Sequence, residues 1–524
     1  MLLIYPPLAK SCEPPAGIAL LAGTLRGHGL TCTLLDANLE GQLHLLDRQP
    51  ASSDTWTRRA CRALPENLEK MRSPAIYGHP ARYQRAVSDL NRVLEQVGRE
   101  HQLDLNLANY QDAAISPLRS ADLLRAARHP EDNIFFPWFQ QRLTAILEQV
   151  NPPMAGFSLN YLSQAPTTFA MIGFLKKIAP NLPIVVGGGL ITSWLRSPAW
   201  NNPFTGLIDH LIAGPGEKPL LKLLGLDHNG QHYPPDFQHL PQGRYLAPGF
   251  ILPYAASSGC YWNRCSFCPE RAEANPYHAL SAATVIDDLT ALCHQTRPAL
   301  IHFLDNAIVP DLMVQLIDMP PAAPWYGFAR VGRLLTDPDF CRGLRRSGCL
   351  MLKLGIESGD QAVLDAMDKG INLHMVSQAL NALAQAGIAT YVYLLFGTPT
   401  ENLPQARKTL AFAAAHASAI TFLNLAIFNM PLASPEAPTL STSDFYEGDL
   451  SLYSDFAHPS GFGRKAVRAF LDREFKRHPA IVPILQRDPP IFTSNHAPFF
   501  INRNETNKKE NFPGNIRSGN CPIE

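Results

Sequence analysis

The stretch Ile251-Leu-Pro-Tyr-Ala-Ala-Ser-Ser-Gly-Cys260-Tyr-Trp-Asn-Arg-Cys265-Ser-Phe-Cys268-Pro-Glu joins an apolar, β-prone run to a loop with three cysteines. Three thiolates so close together suit three irons of a [4Fe–4S] cube and leave the fourth iron open to a small molecule. A cluster that only carries electrons usually has four cysteine ligands. The alternatives are unligated cysteines or a zinc site that borrows a ligand such as His278. Structural zinc usually shows two separated cysteine pairs, and this chain has no second Cys-x-x-Cys.

Apolar runs recur along residues 249–430 and predict a partial (β/α)6 barrel. Helical spacing lies between most of them, as in Ala282–His294 and Met375–Ala386. Short buried strands that alternate with helices indicate a parallel sheet. The cysteine loop follows the first run, so we expect it at the carboxyl edge of the sheet, where α/β folds build their sites. The predicted strands are Ile251–Ala256, Leu300–Asp305, Trp325–Val331, Met351–Glu357, Thr390–Phe396 and Ile420–Ile427.

The same alternation at residues 1–40 and 151–225 predicts an N-terminal doubly wound α/β domain of the flavodoxin-like type. Arginine, leucine and glutamate at helical spacing between these halves predict a helical insertion. The other predicted segments are the insertion at 41–150, a linker at 226–248, a C-terminal extension at 431–501 and a disordered tail at 502–524.

Composition limits the partners of the chain. The 524 residues carry 45 Lys plus Arg and 45 Asp plus Glu, so no net charge draws the protein to nucleic acid or to an anionic membrane. Ten cysteines in a chain of this length do not resemble a disulfide framework. The amino terminus lacks a basic segment typical of signal peptides, and no apolar stretch reaches the roughly 18 residues of a spanning helix. We expect a reduced, cytoplasmic protein with no nucleic-acid partner and no membrane span.

The cysteine loop, its position after a first strand and the six-unit barrel resemble the radical S-adenosylmethionine (SAM) superfamily. The usual spacing in that family is Cys-x3-Cys-x2-Cys, whereas the first gap here has four residues; the second gap and the aromatic Phe267 are kept. The resemblance implies a [4Fe–4S] cluster on Cys260, Cys265 and Cys268, with SAM bound at the free iron. It also implies an electron donor such as flavodoxin or ferredoxin, and release of a 5′-deoxyadenosyl radical.

Polar segments at the ends of successive strands resemble the SAM contacts of this superfamily. The second strand would contact the amino group and the fourth the ribose and methionine parts. The third supplies an arginine that suits the carboxylate, and the fifth a Gly-Thr-Pro turn that suits adenine. Taken singly, each has a structural explanation such as a helix cap. The implied SAM-binding residues are Phe267, Asp305, Asn306, Arg330, Glu357, Ser358 and Gly397.

The N-terminal domain resembles the cobalamin-binding domain that precedes the barrel in one large branch of the superfamily. The matching segments are Tyr5-Pro6-Pro7, Pro14-Pro15-Ala16-Gly17, Gly156-Phe157-Ser158, Gly187-Gly188-Gly189 and Gly214-Pro215-Gly216-Glu217. The resemblance implies cobalamin at Ser158, Gly187, Gly188 and Gly189. The Asp-x-His-x-x-Gly motif that supplies an axial histidine to cobalt is absent from the sequence. The alternative is a flavodoxin-like domain whose glycines only make tight turns.

This resemblance implies a cobalamin-dependent radical methyltransferase that methylates an unactivated carbon of a small molecule or peptide. The alternatives are a radical cyclase or rearrangement enzyme and a cluster-containing cobalamin-binding regulatory protein. A methylthiotransferase is disfavoured, because the N-terminal cysteines Cys12, Cys32 and Cys61 are scattered rather than grouped in a second trio. The aromatic segment Phe492–Phe500, with His496, is predicted to cover the barrel mouth, because radical intermediates need a site without water.

Overall fold

The computed structural model describes residues 1–48, 50, 54–490 and 496–501. It has an α/β architecture with two parallel sheets, as predicted from the sequence. In the part of the chain that is described, no helix is long and apolar enough to cross a membrane. The predicted disordered tail at 502–524 lies outside the described residues.

The N-terminal sheet has five parallel strands in the order second, first, third, fourth, fifth, which is a doubly wound order. Successive side chains of a strand point to opposite faces. Leu3 therefore packs with the helix Ala16–Gly27, whereas Leu2 and Ile4 pack on the other face with the insertion. The strands are Leu2–Tyr5, Thr33–Asp36, Ala155–Ser158, Ile184–Gly187 and His210–Leu211. The main helices are Ala16–Gly27, Ala165–Ile178, Gly189–Arg196 and Glu217–Leu223.

The segment predicted as a helical insertion is mainly helical. Its longest helix, Pro80–Arg99, buries Leu90, Val93, Leu94 and Val97, which lie on one face at helical spacing. A short antiparallel hairpin pairs Leu103–Leu105 with Tyr110–Asp112 and was not predicted, because three-residue strands leave no readable alternation. The helices are Ala37–Asp47, Thr55–Met71, Pro74–Tyr77, Pro80–Arg99, Ser120–Arg128 and Phe136–Val150.

The second sheet contains six parallel strands in consecutive order, so the prediction of six βα units is confirmed. We call the carboxyl ends of these strands the mouth and their amino ends the base. The strands are Ile251–Tyr254, Leu300–Phe303, Trp325–Ala329, Cys349–Glu357, Ala389–Phe396 and Phe422–Ile427. The helices between them are Pro269–Ala272, Ala282–Thr296, Pro310–Asp318, Pro338–Arg346, Gln361–Ala366, Leu373–Gln385 and Leu403–Ala415.

After the sixth strand, residues 428–463 run across the mouth. His458 Nε2 lies 2.9 Å from the carbonyl oxygen of Thr398, which follows the fifth strand. At the far side, Asp449 accepts a hydrogen bond of 2.8 Å from the amide of Ser120, in the insertion. This segment therefore bridges the mouth and the insertion. Its strands are Met430–Pro431, Thr442–Asp444 and Tyr453–Phe456, and the helices Arg464–Arg473 and Val482–Gln486 follow.

Residues 496–501 lie at the base, so the prediction that the aromatic segment covers the mouth is wrong for this part. Ala497 packs in one cluster with Ile251, Leu300 and Phe422, each the first residue of a barrel strand. The buried ring of His496 contacts Phe422 with centroids 4.6 Å apart. Apolar side chains suit either opening of a barrel, so the sequence does not reveal which one they fill. The rest of the predicted lid, residues 492–495, lies outside the described residues.

Candidate active site

The cysteine loop lies at the mouth, between the first barrel strand and the short helix Pro269–Ala272. Cys260, Cys265 and Cys268 are half-buried and free. Burial raises the pKa of the Cys265 thiol, and that of Cys268 to about 11. No three His, Cys, Asp or Glu side chains among the described residues are grouped so that they hold a single metal ion. A [4Fe–4S] cube has a different requirement, because each thiolate binds its own iron.

The longer first gap of the cysteine motif forms a projecting turn. Asn263 adopts a left-handed conformation with φ of 43°, which is uncommon for residues other than glycine. Trp262 Nε1 donates to the carbonyl oxygen of Asp368 over 3.0 Å, and Arg264 forms an ion pair of 3.1 Å with the Asp368 carboxylate. The amide of Ser266 also donates to Met367. The loop with the additional residue thus docks onto residues 367–370, after the fourth strand.

Arg330, from the end of the third strand, lies beneath this turn. Its guanidinium carbon is 3.8 Å from the centroid of the Trp262 ring, and it donates to the carbonyl oxygen of Lys369. Gly370 has φ of +64°, and a Cβ there would lie 2.1 Å from Trp262. A side chain at position 370 would therefore displace the indole. Burial lowers the pKa of Arg330, although the neighbouring thiols of Cys265 and Cys260 act against this.

Glu357 and Lys369 form an ion pair of 2.8 Å at the end of the fourth strand, with both side chains largely buried. Glu357 has φ of 66°, a strained conformation for a residue other than glycine. A Cβ at position 355 would lie 2.5 Å from the Glu357 carboxylate, so a side chain there would displace this carboxylate. The ammonium of Lys369 lies 5.5 Å from the centroid of the Phe267 ring, beside the third cysteine. Lys369 was not identified from the sequence, because it lies twelve positions after its partner.

Three of the residues predicted to contact SAM make hydrogen bonds within the protein. Asp305 is buried and accepts from the amide of Ala256 and the hydroxyl of Ser257, just before the cysteine loop. Asn306 donates over 3.0 Å to the carbonyl oxygen that precedes Cys260. Ser358 is fully buried, and its hydroxyl lies 3.1 Å from that of Thr409 in an outer helix. In this structure Asp305 and Asn306 hold the cysteine loop, and Ser358 holds a helix.

Gly397, after the fifth strand, has φ of +81° and lies close to the extension, since a Cβ there would be 2.9 Å from Val467. Its amide donates over 2.6 Å to the fully buried carboxyl of Glu401. Burial raises the pKa of Glu401 to about 8, so this carboxyl is protonated at neutral pH. Glu401 was not identified from the sequence, where it looks like an ordinary residue before the helix Leu403–Ala415.

The mouth retains buried polar atoms that have no hydrogen-bond partner among the described residues. They include Ser266 Oγ in the cysteine loop and Thr398 Oγ1 after the fifth strand. Buried polar groups are rarely left without partners, so each such atom calls for an explanation. The two atoms lie at the segments that resemble the cluster and adenine contacts. The donor set at the mouth therefore fits a polar ligand beside the cysteines.

The carboxyl edge of the N-terminal sheet has a surface of bare backbone at its third to fifth strands. Gly188 has φ of +109°, and a Cβ there would lie 2.4 Å from the Leu159 carbonyl oxygen. Asn160 was not identified from the sequence; its side chain joins Ser158 Oγ and the amide of Gly189, over 3.1 and 2.9 Å. The next residue, Tyr161, is 56% exposed. The glycines leave this edge without side chains, which suits a ligand that lies against the backbone.

Comparison with known proteins gives a family match within the barrel. Residues 254–413 match the family model described as the radical SAM superfamily. In sequence, the chain is 22% identical over 342 residues to an uncharacterized methyltransferase from Pyrococcus horikoshii, covering 57% of this chain and 72% of that protein.

Solved structures with a similar fold include the radical S-adenosylmethionine methyltransferase TsrM from Kitasatospora setae. Its structure with tryptophan substrate and the SAM analog aza-SAM gives a TM-score of 0.52 at 14% identity, over 93% of this chain and 89% of that chain. Its structure with cobalamin and a [4Fe–4S] cluster gives 0.51 at 15% identity, over 93% and 91%. The cobalamin-dependent S-adenosylmethionine radical enzyme OxsB, with aqua-cobalamin bound, gives 0.49 at 16% identity, and this chain spans 60% of its length.

Proposed function

We propose a function for this chain from the premise that its barrel belongs to the radical SAM superfamily. In this proposal Cys260, Cys265 and Cys268 hold a [4Fe–4S] cluster whose open iron binds SAM. When bound and reduced, the cluster supplies the electron that cleaves the sulfonium of SAM. The protein binds and orients the ligand and excludes water. A flavodoxin or ferredoxin would deliver the electron.

The observation that carries this proposal is the docking of the cysteine loop onto residues 367–370. The contact brings Arg330 and Lys369, two cations, to the half-buried thiols at the mouth. A guanidinium or ammonium pairs well with a carboxylate, so either cation suits the methionine part of SAM. Gly397 and Thr398 remain the candidates for adenine. Asp305, Asn306 and Ser358 remain candidates for SAM contacts, and they also hold the loop and helix beside the site.

The N-terminal domain would bind cobalamin at Ser158 and the glycines 187–189, with Asn160 organising the turn. The fit of the bare backbone edge supports this, as does a fold shared with TsrM, a structure of which contains cobalamin. The reaction we propose is transfer of a methyl group to carbon. The alternatives are cyclisation or rearrangement by the same architecture and a cobalamin-binding regulatory protein. A cytoplasmic location stays a prediction.

The test is anaerobic reconstitution of the full chain with cluster and cobalamin, the methyl acceptor, followed by reduction in the presence of SAM. We expect about four irons per chain. We also expect 5′-deoxyadenosine and binding of hydroxocobalamin in equilibrium dialysis. S-adenosylhomocysteine formed beside the deoxyadenosine supports methyl transfer, and its absence favours rearrangement. Bound cobalamin without SAM cleavage would indicate a regulatory protein. Stoichiometric zinc without iron would overturn the proposal.

A further inference from the structure

Three polar side chains lie on the inner face of the barrel below the mouth, and one of them, Tyr326, also packs in the apolar cluster at the base. His302 and Tyr326 are register partners on the second and third strands, and their rings stack at 4.4 Å and 4°. Lys353, on the fourth strand, has its ammonium 3.5 Å from His302 Nε2. The same ammonium lies 5.2 Å from the centroid of the Tyr326 ring and 5.0 Å from that of Phe328. All three polar residues are buried.

The fourth member comes from the other domain. Glu13 lies in the loop that follows the first strand, Leu2–Tyr5, and its carboxylate oxygens are 3.1 and 3.0 Å from His302 Nδ1. The carboxylate accepts, so Nδ1 carries the hydrogen and the lone pair of Nε2 faces Lys353. We call Glu13, His302, Tyr326 and Lys353 the barrel cluster. It is a row of carboxylate, imidazole and ammonium that joins the two domains.

The burial of Lys353 beside a second cation, Lys10, favours an additional anion at its ammonium. Burial, together with the neighbouring Lys10, lowers the pKa of Lys353 to about 8, against the opposing effects of Glu13 and Cys12. An ammonium in this position gains from a further negative charge. The buried hydroxyl of Tyr326 has no hydrogen-bond partner among the described residues. Its O–H and the ammonium are donors of the kind that a carboxylate accepts.

Apolar and aromatic side chains lie between the barrel cluster and the mouth. Leu304, two residues after His302 and therefore on the same face, is 37% exposed. Phe328 and Tyr393 are half-buried, with ring centroids 5.1 Å apart. Lys353 and Glu357 lie four residues apart on one strand, a distance of about 13 Å at the usual rise per residue. A molecule with one or two rings spans that length.

We propose that the barrel cluster anchors the substrate and binds the carboxylate of a molecule whose body is apolar or aromatic. This rests on the proposed function, because the reacting atom would then lie between the anchor and the cysteines. Lys353 and Tyr326 bind the carboxylate. Glu13 positions His302, which in turn positions Lys353.

The experiment compares the binding of three small probes to the reconstituted holoprotein by isothermal titration calorimetry. The probes are phenylacetate, its neutral amide phenylacetamide and the cation phenethylamine. Phenylacetate should bind best. Lys353→Met should weaken phenylacetate at least about tenfold, the range for a hydrogen bond to a charged group. Glu13→Gln should also weaken it, because that variant removes the carboxylate that positions His302 and favours the charged form of Lys353.

Lys176→Met is the matched control, since Lys176 pairs with Asp209 in the N-terminal domain, away from the barrel. Iron content and SAM affinity establish that each variant is folded, and Lys353→Arg, which keeps the charge, should bind phenylacetate more tightly than Lys353→Met. Equal affinity in Lys353→Met and wild type would overturn the proposal, as would preference for phenethylamine or no binding of phenylacetate. The assay needs no SAM cleavage, so a failure of the proposed function would be seen separately, in the absence of deoxyadenosine.

Discussion

The base and the mouth of the barrel are made by the same six strands but by different kinds of side chain. At the base, Leu300 and Phe422 form an apolar cluster that Ala497 closes. At the mouth, Glu357 and Arg330 lie largely out of water beside the cysteines, and Glu357 is strained. Burying charge and strain costs stability, whereas burying apolar surface provides it. The comparison indicates that the base stabilises the barrel and that the mouth is arranged for chemistry.

The largest effect is expected from removing the three thiols of the mouth. Replacing Cys260, Cys265 and Cys268 by alanine should reduce the iron of reconstituted protein from about four per chain to near zero. The free energy of unfolding in urea, measured on protein without cluster, should differ little between the triple variant and wild type. Cys61→Ala, in the insertion, is the control and should keep its iron. Retention of iron by the triple variant would contradict the assignment.

The next largest effect is expected at the base. Phe422→Ala removes a buried ring that contacts Tyr391, His496 and Phe500. It should lower the free energy of unfolding by about 3–5 kcal/mol. SAM affinity should be unchanged in the folded variant. Tyr446→Ala, which removes an exposed ring, should cost no more than about 0.5 kcal/mol in the same urea titration. A loss of SAM binding in folded Phe422→Ala would mean that packing at the base also controls ligand binding at the mouth.

The neutral carboxyl of Glu401 gives the mouth a pH dependence. Its pKa in the folded protein, about 8, lies above the ordinary value of 4.5, so the folded state holds a proton that the unfolded state releases. The stability from this group is fully present below pH 4.5 and is lost as the pH rises towards 8. Glu401→Gln should remove this loss, which amounts to at most about 1.4 kcal/mol per pH unit.

The measurement is the free energy of unfolding of wild type and Glu401→Gln in urea from pH 5 to 8. The difference between the two proteins should change with pH. Glu148→Gln, at an exposed position, serves as the control and should run parallel to wild type. Parallel curves for wild type and Glu401→Gln would show that Glu401 is ionised in the folded protein.

The smallest effect is expected from the docking of the cysteine loop. Trp262→Ala removes the hydrogen bond to Asp368 and the ring that covers Arg330. Together these contacts are worth about 1–2 kcal/mol, so SAM should bind about tenfold more weakly while iron content is kept. Tyr261→Phe, one residue away, should bind SAM as wild type does in equilibrium dialysis. Unchanged SAM affinity in Trp262→Ala would show that the contact between Trp262 and Arg330 does not contribute to SAM binding.

The elements that could be predicted are those whose signal is local. The six barrel strands were predicted to within a few residues, because each is a short apolar run between turn signals. The cysteine loop was placed at the mouth because a loop after a parallel strand lies at its carboxyl end. The hairpin at Leu103–Leu105 and the position of residues 496–501 could not be predicted, since neither depends on a local pattern.

The candidate site shows the same division. The cysteine loop and the ends of the barrel strands could be recognised from the sequence by itself. Each is marked by a pattern of residues that are neighbours in the chain. Only the tertiary structure decided that Asp305 and Asn306 hold the cysteine loop and that Lys369 pairs with Glu357. Glu13 and His302 are 289 positions apart, and no residue pattern relates them. They meet because the packing of two separate sheets directs both side chains into one buried space, where each lowers the cost of burying the other.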